Sequence, residues 1–327
     1  MNKKCAAALA AAAALGASTL LVAAPASAEL TTRCVGEGGA VTVPGDLVVP
    51  RNGSCSLDGT TITGDVRIGR GADLIAENVT VGGGVTGAGN AYFEAFSTSV
   101  DGSVVLNGSH GAYLEDSEVG DRVLTQWGDD VAGGFVYTFQ SAVGDDLVSQ
   151  GGELFVESTE VAGALRSDLS QYTDLYDSFV DGGVLVRDNE LGGVVCASAV
   201  QGDSRFVGNI DTVQLGADGP FADCDGSNFW GGDVAVRDTQ GGVLLDHNIV
   251  DGDLTLRDND PVALFGPRNL VRGDVLGEFD EWDGSQPARQ RSASAETREQ
   301  ALQRKVTQRH DSAVRSADRA GNAHLRG

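Results

Sequence analysis

Ser109-His110-Gly111, Gly128-Asp129-Asp130 and Gly144-Asp145-Asp146 hold the residue types that general acid and base catalysis needs. Paired carboxylates can protonate a leaving oxygen and activate a water, with a histidine beside them to hold a proton. Arg187-Asp188, Arg237-Asp238 and Arg257-Asp258 form a second recurring set, a guanidinium next to a carboxylate each time. Two further stretches join aromatic rings to acids. Residues 126–134 contain Trp127, Asp129 and Asp130, and residues 216–230 contain Phe221, Asp223, Asp225 and Trp230. A Trp exposed beside carboxylates could stack on a sugar or join a partner surface, which makes Trp127, Asp129, Asp130 and Trp230 the candidate ligand contacts. Whether these groups meet depends on the elements that carry them.

Those elements repeat. Coil starts, each a Gly before Asp or its stand-in, fall at Gly45, Gly64, Gly83, Gly102, Gly120, Gly144, Gly163, Gly182, Gly202, Gly232, Gly252 and Gly273. Nine of the eleven spacings lie between 18 and 21 residues, so one structural unit is copied along the chain. Within the unit from Gly64, Val66 and Ile68, then Leu74 and Ala76, then Val81 mark three short runs. Apolar residues at every second position mean strands with one inward face. Three such runs in ~19 residues, separated by turn residues, leave no room for a helix. The solution is a β-solenoid, in which each unit is one coil and stacked coils bury a column that no single unit could bury. Eleven coils at the interstrand spacing predict a rod roughly 50 Å long over residues 45–284.

The repeated G-D-V-x-V runs, with Asn189, Asn209, Asn248, Asn259 and Asn269 at repeated turns, resemble the right-handed parallel β-helix proteins of the pectin-lyase-like superfamily. The resemblance covers about residues 34–280 and implies a right-handed coil. The coil spacing is also somewhat similar to that of the bactofilins. β-Helical polygalacturonases combine N-T-D, D-D, G-H-G and R-x-K elements. Here His110 precedes both Asp pairs, the reverse of that order, and the body has no R-x-K because it has no Lys. His110 therefore reads as a turn residue, and no catalytic set is assigned. β-Helical polysaccharide lyases use carboxylate-bound calcium and a basic residue. The Arg-Asp dipeptides fit better as a ladder of alternating charges along one corner.

The chain opens with MNKK, an Ala/Leu/Val-rich run and PASA, the pattern of a secretory signal peptide over residues 1–28 with cleavage after Ala28. No later segment has ~20 consecutive apolar residues, so no transmembrane segment is expected in the mature chain. Residues 29–44 read as an N-terminal cap. Residues 29–284 hold 12 Arg against 43 Asp and Glu, a net of −31, which repels polyanions and excludes nucleic acid as a partner of the body. Calcium is the one cofactor that the Asp-rich turns suggest, although no tandem G-G-x-G-x-D repeat is present.

Without Cys5, four cysteines remain, an even number that favours disulfides in an exported chain. Cys34 and Cys55 are 21 residues apart, about one coil. Cys196 and Cys224 are 28 apart across the longest unit, so both pairs would stack as neighbours on adjacent coils. Residues 285–327 carry nine Lys and Arg against four Asp and Glu, a basic tail expected to be disordered or partly helical because it lacks an apolar stripe. It reads as a basic arm for the acidic rod, a neighbour's rod or an anionic envelope polymer, or else as a solubilising tail. The sequence thus points to an exported all-β solenoid acting as an extracellular structural or binding module for a glycan, cell-envelope polymer or protein. The alternative is a polysaccharide lyase or glycoside hydrolase.

Overall fold

Alternating Val, Leu and Ile on short strands produce a three-sided parallel solenoid of about 13 turns. The computed structural model describes residues 30–128, 134–219, 221–283 and 297–325. The expected signal peptide, Asp129 and Asp130 therefore lie outside the described residues. Side one runs from Thr31–Arg33 through Asp46–Val49 and Val66–Ile68 to Val275–Gly277. Side two runs from Gly36–Gly38 through Ser54–Asp58 and Asp73–Glu77 to Phe279–Glu281. These two sides form one 24-stranded sheet, and a 12-stranded sheet from Thr42–Val43 to Leu270–Val271 makes side three. The eleven coils read from the Gly-Asp starts fall short because residues 30–44, expected as a cap, already contribute one strand to each side.

The repeating phrase has a mechanical role. The inward residues of one coil stack on those of the next, as in the side-three column Val43, Ile62, Val81, Val100 and Val119. The Asp of Gly-Asp ties the coils together. Asp46 Oδ1 accepts the Asp65 N–H at 2.9 Å, Asp65 Oδ1 accepts the Gly84 N–H at 2.9 Å, and Asp253 Oδ1 accepts the Asp274 N–H at 2.8 Å. A second ladder runs inside another corner. Successive backbone N–H groups there donate to the side chains of Thr98, Ser117 and Ser141, then, further along, Ser178, Ser198 and Asn228. Buried turn donors are thereby satisfied without water.

The corner asparagines behave differently from a simple turn residue. Asn189, Asn209, Asn248 and Asn259 are buried, and positive φ falls instead on the preceding Asp188, Gly208, His247 and Asp258. Asn189 accepts from the Ser170 N–H and Asn259 from the Thr239 N–H, so each amide bridges coils. The expected alternating ladder of Arg-Asp dipeptides does not form. Arg187 pairs with Asp168 of the neighbouring coil at 2.7 Å. Arg237 stacks in register on Arg257, like charge on like, and neither joins an ion pair among the described residues.

Both expected disulfides are present, Cys34–Cys55 with Cα atoms 5.7 Å apart and Cys196–Cys224 with 5.4 Å. The basic tail is helical over Arg298–Ala320, opened by a Thr297/Gln300 capping box and closed at Gly321. Leu302, Val306, Ala313 and Ala317 are its buried residues, the apolar stripe that the composition of the tail concealed. Beyond the helix the chain pairs with the first edge strand of side two. The Glu37 N–H donates to Gly321 O at 2.9 Å, and the Ala323 N–H returns to Glu37 O at 2.7 Å. Ala323 and Leu325 pack against the end of the core. A Cβ at position 36 would strike the Gly321 carbonyl, so the close approach requires Gly36. An edge strand that could template pairing with another chain is covered in this way by the protein's own C-terminus.

Candidate functional site: an aromatic and acidic face under the helix

The outward residues of side two combine aromatic rings with acids. In register, one column reads Ile75, Glu94, Tyr113, Tyr137, Phe155 and Asp174, and the next reads Asp73, Tyr92, Gly111, Phe135 and Glu153. Strand alternation puts Leu74, Ala76 and Phe93 into the core and leaves these rings and carboxylates outside. The C-terminal helix then covers them. Its 23 residues span about 35 Å at the α-helical rise. The seven rung steps from Gly36–Gly38 to Asp174 span about 34 Å. Leu302 and Val306 join the aromatic cluster of Tyr92, Phe135, Tyr137 and Tyr172.

Each buried acid on this face meets a basic residue of the helix. Arg298 Nη1 donates to Asp174 Oδ1 at 2.7 Å, Lys305 Nζ to Glu153 Oε1 at 2.6 Å, and Arg309 Nε to Asp73 Oδ1 at 2.9 Å. His310 Nδ1 lies 2.7 Å from Glu94 Oε1. Arg298 also donates to the Leu191 carbonyl. The cations sit against rings as well. Arg298 is 3.8 Å from the Phe221 ring centroid and 4.7 Å from that of Tyr172, Lys305 is 5.9 Å from that of Phe135, and Arg309 is 5.8 Å from that of Tyr92. Carboxylate and ring together make a cation cage.

Tyrosine hydroxyls complete the network. Tyr92 donates to Glu94 at 2.7 Å and Tyr113 to Glu115 at 2.5 Å, while Tyr137 and Tyr172 both donate to Glu153. Burial, with these carboxylates beside them, pushes the hydroxyls of Tyr92, Tyr113, Tyr137 and Tyr172 well above the ordinary phenol range. They act as donors and stay neutral. Burial raises Asp174 to about 6 against the opposing pull of Arg298, and raises Asp73 against Arg309. His110 lies between Tyr92 and Phe135, with ring centroids 5.8 and 5.5 Å away, and burial lowers it to about 4. The arrangement is suited to holding cations.

Among the described residues, those singled out by type and spacing are not brought together. His110 occupies a bend, as expected, but its ring packs under the helix. Asp145 is exposed at a coil start, far in register from His110. Trp127 is 57% exposed at a corner, where it rests over Gly151. Trp230 is 1% exposed and is corrected from ligand contact to core residue. It takes the inward slot that Val200 and Val250 fill on adjacent coils, and its Nε1 donates to Asn248 Oδ1 at 2.9 Å. Its position two residues before Gly232, like Val200 before Gly202, was the available signal. Among the described residues no group of three His, Cys, Asp or Glu is placed to hold a metal ion. The acids of side two were missed because their partners lie more than a hundred residues away in the tail.

The chain matches no family model, no curated protein and no solved structure, so its fold and its site rest on its own residues.

Proposed function

We propose that the chain is an exported β-solenoid that works as an extracellular structural or binding module, of the broad β-helix type. The observation that carries this reading is a rod cross-linked between coils and covered by its own chain at its first edge strand. Two disulfides join neighbouring coils, and residues 321–325 pair with the first edge strand. Such cross-links suit an oxidising compartment, and the basic, apolar, small-residue start of the sequence supports export. A rod with a net charge of −31 over residues 29–284 favours solubility, and the covered strand Gly36–Gly38 resists strand addition at that edge.

Contact with glycans or cell-envelope components is the binding role that the surface favours. Trp127 presents an exposed indole at a corner, and Leu169 stands 67% exposed along the same corner. An indole face held on a rigid rod can stack on a sugar ring. The test is to incubate the mature chain with neutral, acidic and basic polysaccharides, with and without calcium. Retention and product formation are scored together. Retention that is lost in Trp127→Ala, without new reducing ends or ultraviolet-absorbing unsaturated products, supports the module. New ends or unsaturated products would make the protein a β-helix polysaccharide enzyme instead. No retention of any glycan would remove the glycan-binding role.

A further inference from the structure

Three cation cages on side two are filled by the helix, and a fourth stands without a Lys or Arg. In each filled cage a carboxylate bonds the cation and a ring lies against it: Asp174 with Phe221, Glu153 with Phe135, and Asp73 with Tyr92. Along the seam between helix and sheet runs a cleft of about 380 Å³ lined by Glu77, Glu94, Phe96, Tyr113, Glu115 and His310. It has the same composition of rings and carboxylates. No Lys or Arg lines it, and His310, already paired with Glu94, is its only basic side chain.

We propose that this seam cleft binds an organic cation, an alkylammonium or alkylguanidinium group. The chemistry is that of its three neighbours. A ring face attracts a cation whose hydration shell is partly removed, and a carboxylate supplies charge-assisted hydrogen bonds. Phe96 is 39% exposed at the cleft, which leaves its ring open to a ligand. Glu115 accepts from Tyr113 and keeps a second oxygen for a donor, while Glu77 lies exposed on the other side of Phe96. Strand register stacks Glu77, Phe96 and Glu115 on three successive rungs, so acid, ring and acid follow one another at ~4.8 Å steps. A guanidinium seated over Phe96 would reach a carboxylate on either side.

Two sources carry this chemistry, a free amine or guanidine and the arginine side chain of a protein. Isothermal titration of the full mature chain with agmatine and, separately, with Nα-acetylarginine amide distinguishes them. Saturable one-to-one binding of either compound is expected. Phe96→Leu keeps apolar volume and removes the ring, and should weaken that binding about tenfold. The double variant Glu77→Gln/Glu115→Gln should weaken it by at least as much. Asp145→Asn, exposed on another part of the rod, should leave it unchanged. Thermal melts verify that each variant is folded. No saturable heat with either compound overturns the proposal. So does binding that Phe96→Leu leaves intact, or that Asp145→Asn reduces equally, because general acidity would then suffice. The outcome is independent of glycan retention, which reads a different part of the surface.

Discussion

Arg298 reaches across 124 residues of sequence to donate from Nη1 to Asp174 Oδ1 at 2.7 Å, and the carboxylate it meets is 1% exposed. A buried acid at this depth would otherwise hold its proton. Arg298→Ala leaves Asp174 without its cation, and breaking a buried pair from one side costs about 3–5 kcal/mol. Asp174, at about 6 with Arg298 in place, should titrate higher in the variant because the pull of the guanidinium is gone. The raised value means that the contribution of Asp174 to stability is complete below the unfolded value of 3.8 and is lost as pH rises through about 6. The deficit of Arg298→Ala should therefore be largest at pH 7 and shrink as the acid is protonated. Denaturant melts at several pH values, with side-chain carboxyl NMR, measure both effects.

His110 has the opposite sign. Burial lowers it from 6.5 to about 4, so the unfolded chain takes up a proton between those values and the folded chain does not. Its contribution to stability is present above pH 6.5 and is lost as pH falls through about 4, a change of up to roughly 3 kcal/mol. His110→Phe fits a ring between Tyr92 and Phe135 and cannot titrate. The variant should lose less stability than the parent between pH 6.5 and 4. Parallel melting curves over that range check it, and identical slopes would remove His110 from the acid response.

Cys34–Cys55 closes 21 residues at the first coils, where both cysteines are fully buried. Chain-entropy arguments give about 3 kcal/mol for a loop of this length. Cys34→Ser/Cys55→Ser should lose about that much, with amide exchange rising first in Gly36–Gly38 and Ser54–Asp58, the strands that the bridge joins. Exchange that rises uniformly along the rod would show that the end coils do not open separately.

Trp127 and Trp230 should respond very unequally. Trp230→Ala empties a core slot beside Phe206, whose ring centroid is 6.1 Å away, and should cost about 3–5 kcal/mol. Trp127→Ala removes an exposed ring and should change stability by about 0.5 kcal/mol or less. Guanidinium melts of both variants suffice, and a comparable loss in Trp127→Ala would make that residue structural.

Much of the rod was legible because its contacts are local in a special sense: each residue meets the one about 19 positions later. The Gly-Asp spacing and the period-two runs carry that relationship directly, and so do the cysteine intervals, which match the observed Cys34–Cys55 and Cys196–Cys224 pairs. Trp230 was misread because its aromatic type outweighed its place in the Val column. The Arg-Asp ladder was misread because side-chain direction, set by the positive φ of Asp188, Asp238 and Asp258, does not follow from adjacency.

The helix shows the boundary most clearly. Its apolar positions, Leu302, Val306, Ala313 and Ala317, are few and small, and alone they give little reason to fold in water. Only the stacked face of side two supplies the rings and acids that make those four residues, together with Arg298, Lys305 and Arg309, a binding surface. Repetition along the chain determined the solenoid, since every coil reports the same register. The match between the tail and a face built from eight different coils was decided by tertiary structure alone, because charge and shape become complementary there only after the coils have stacked.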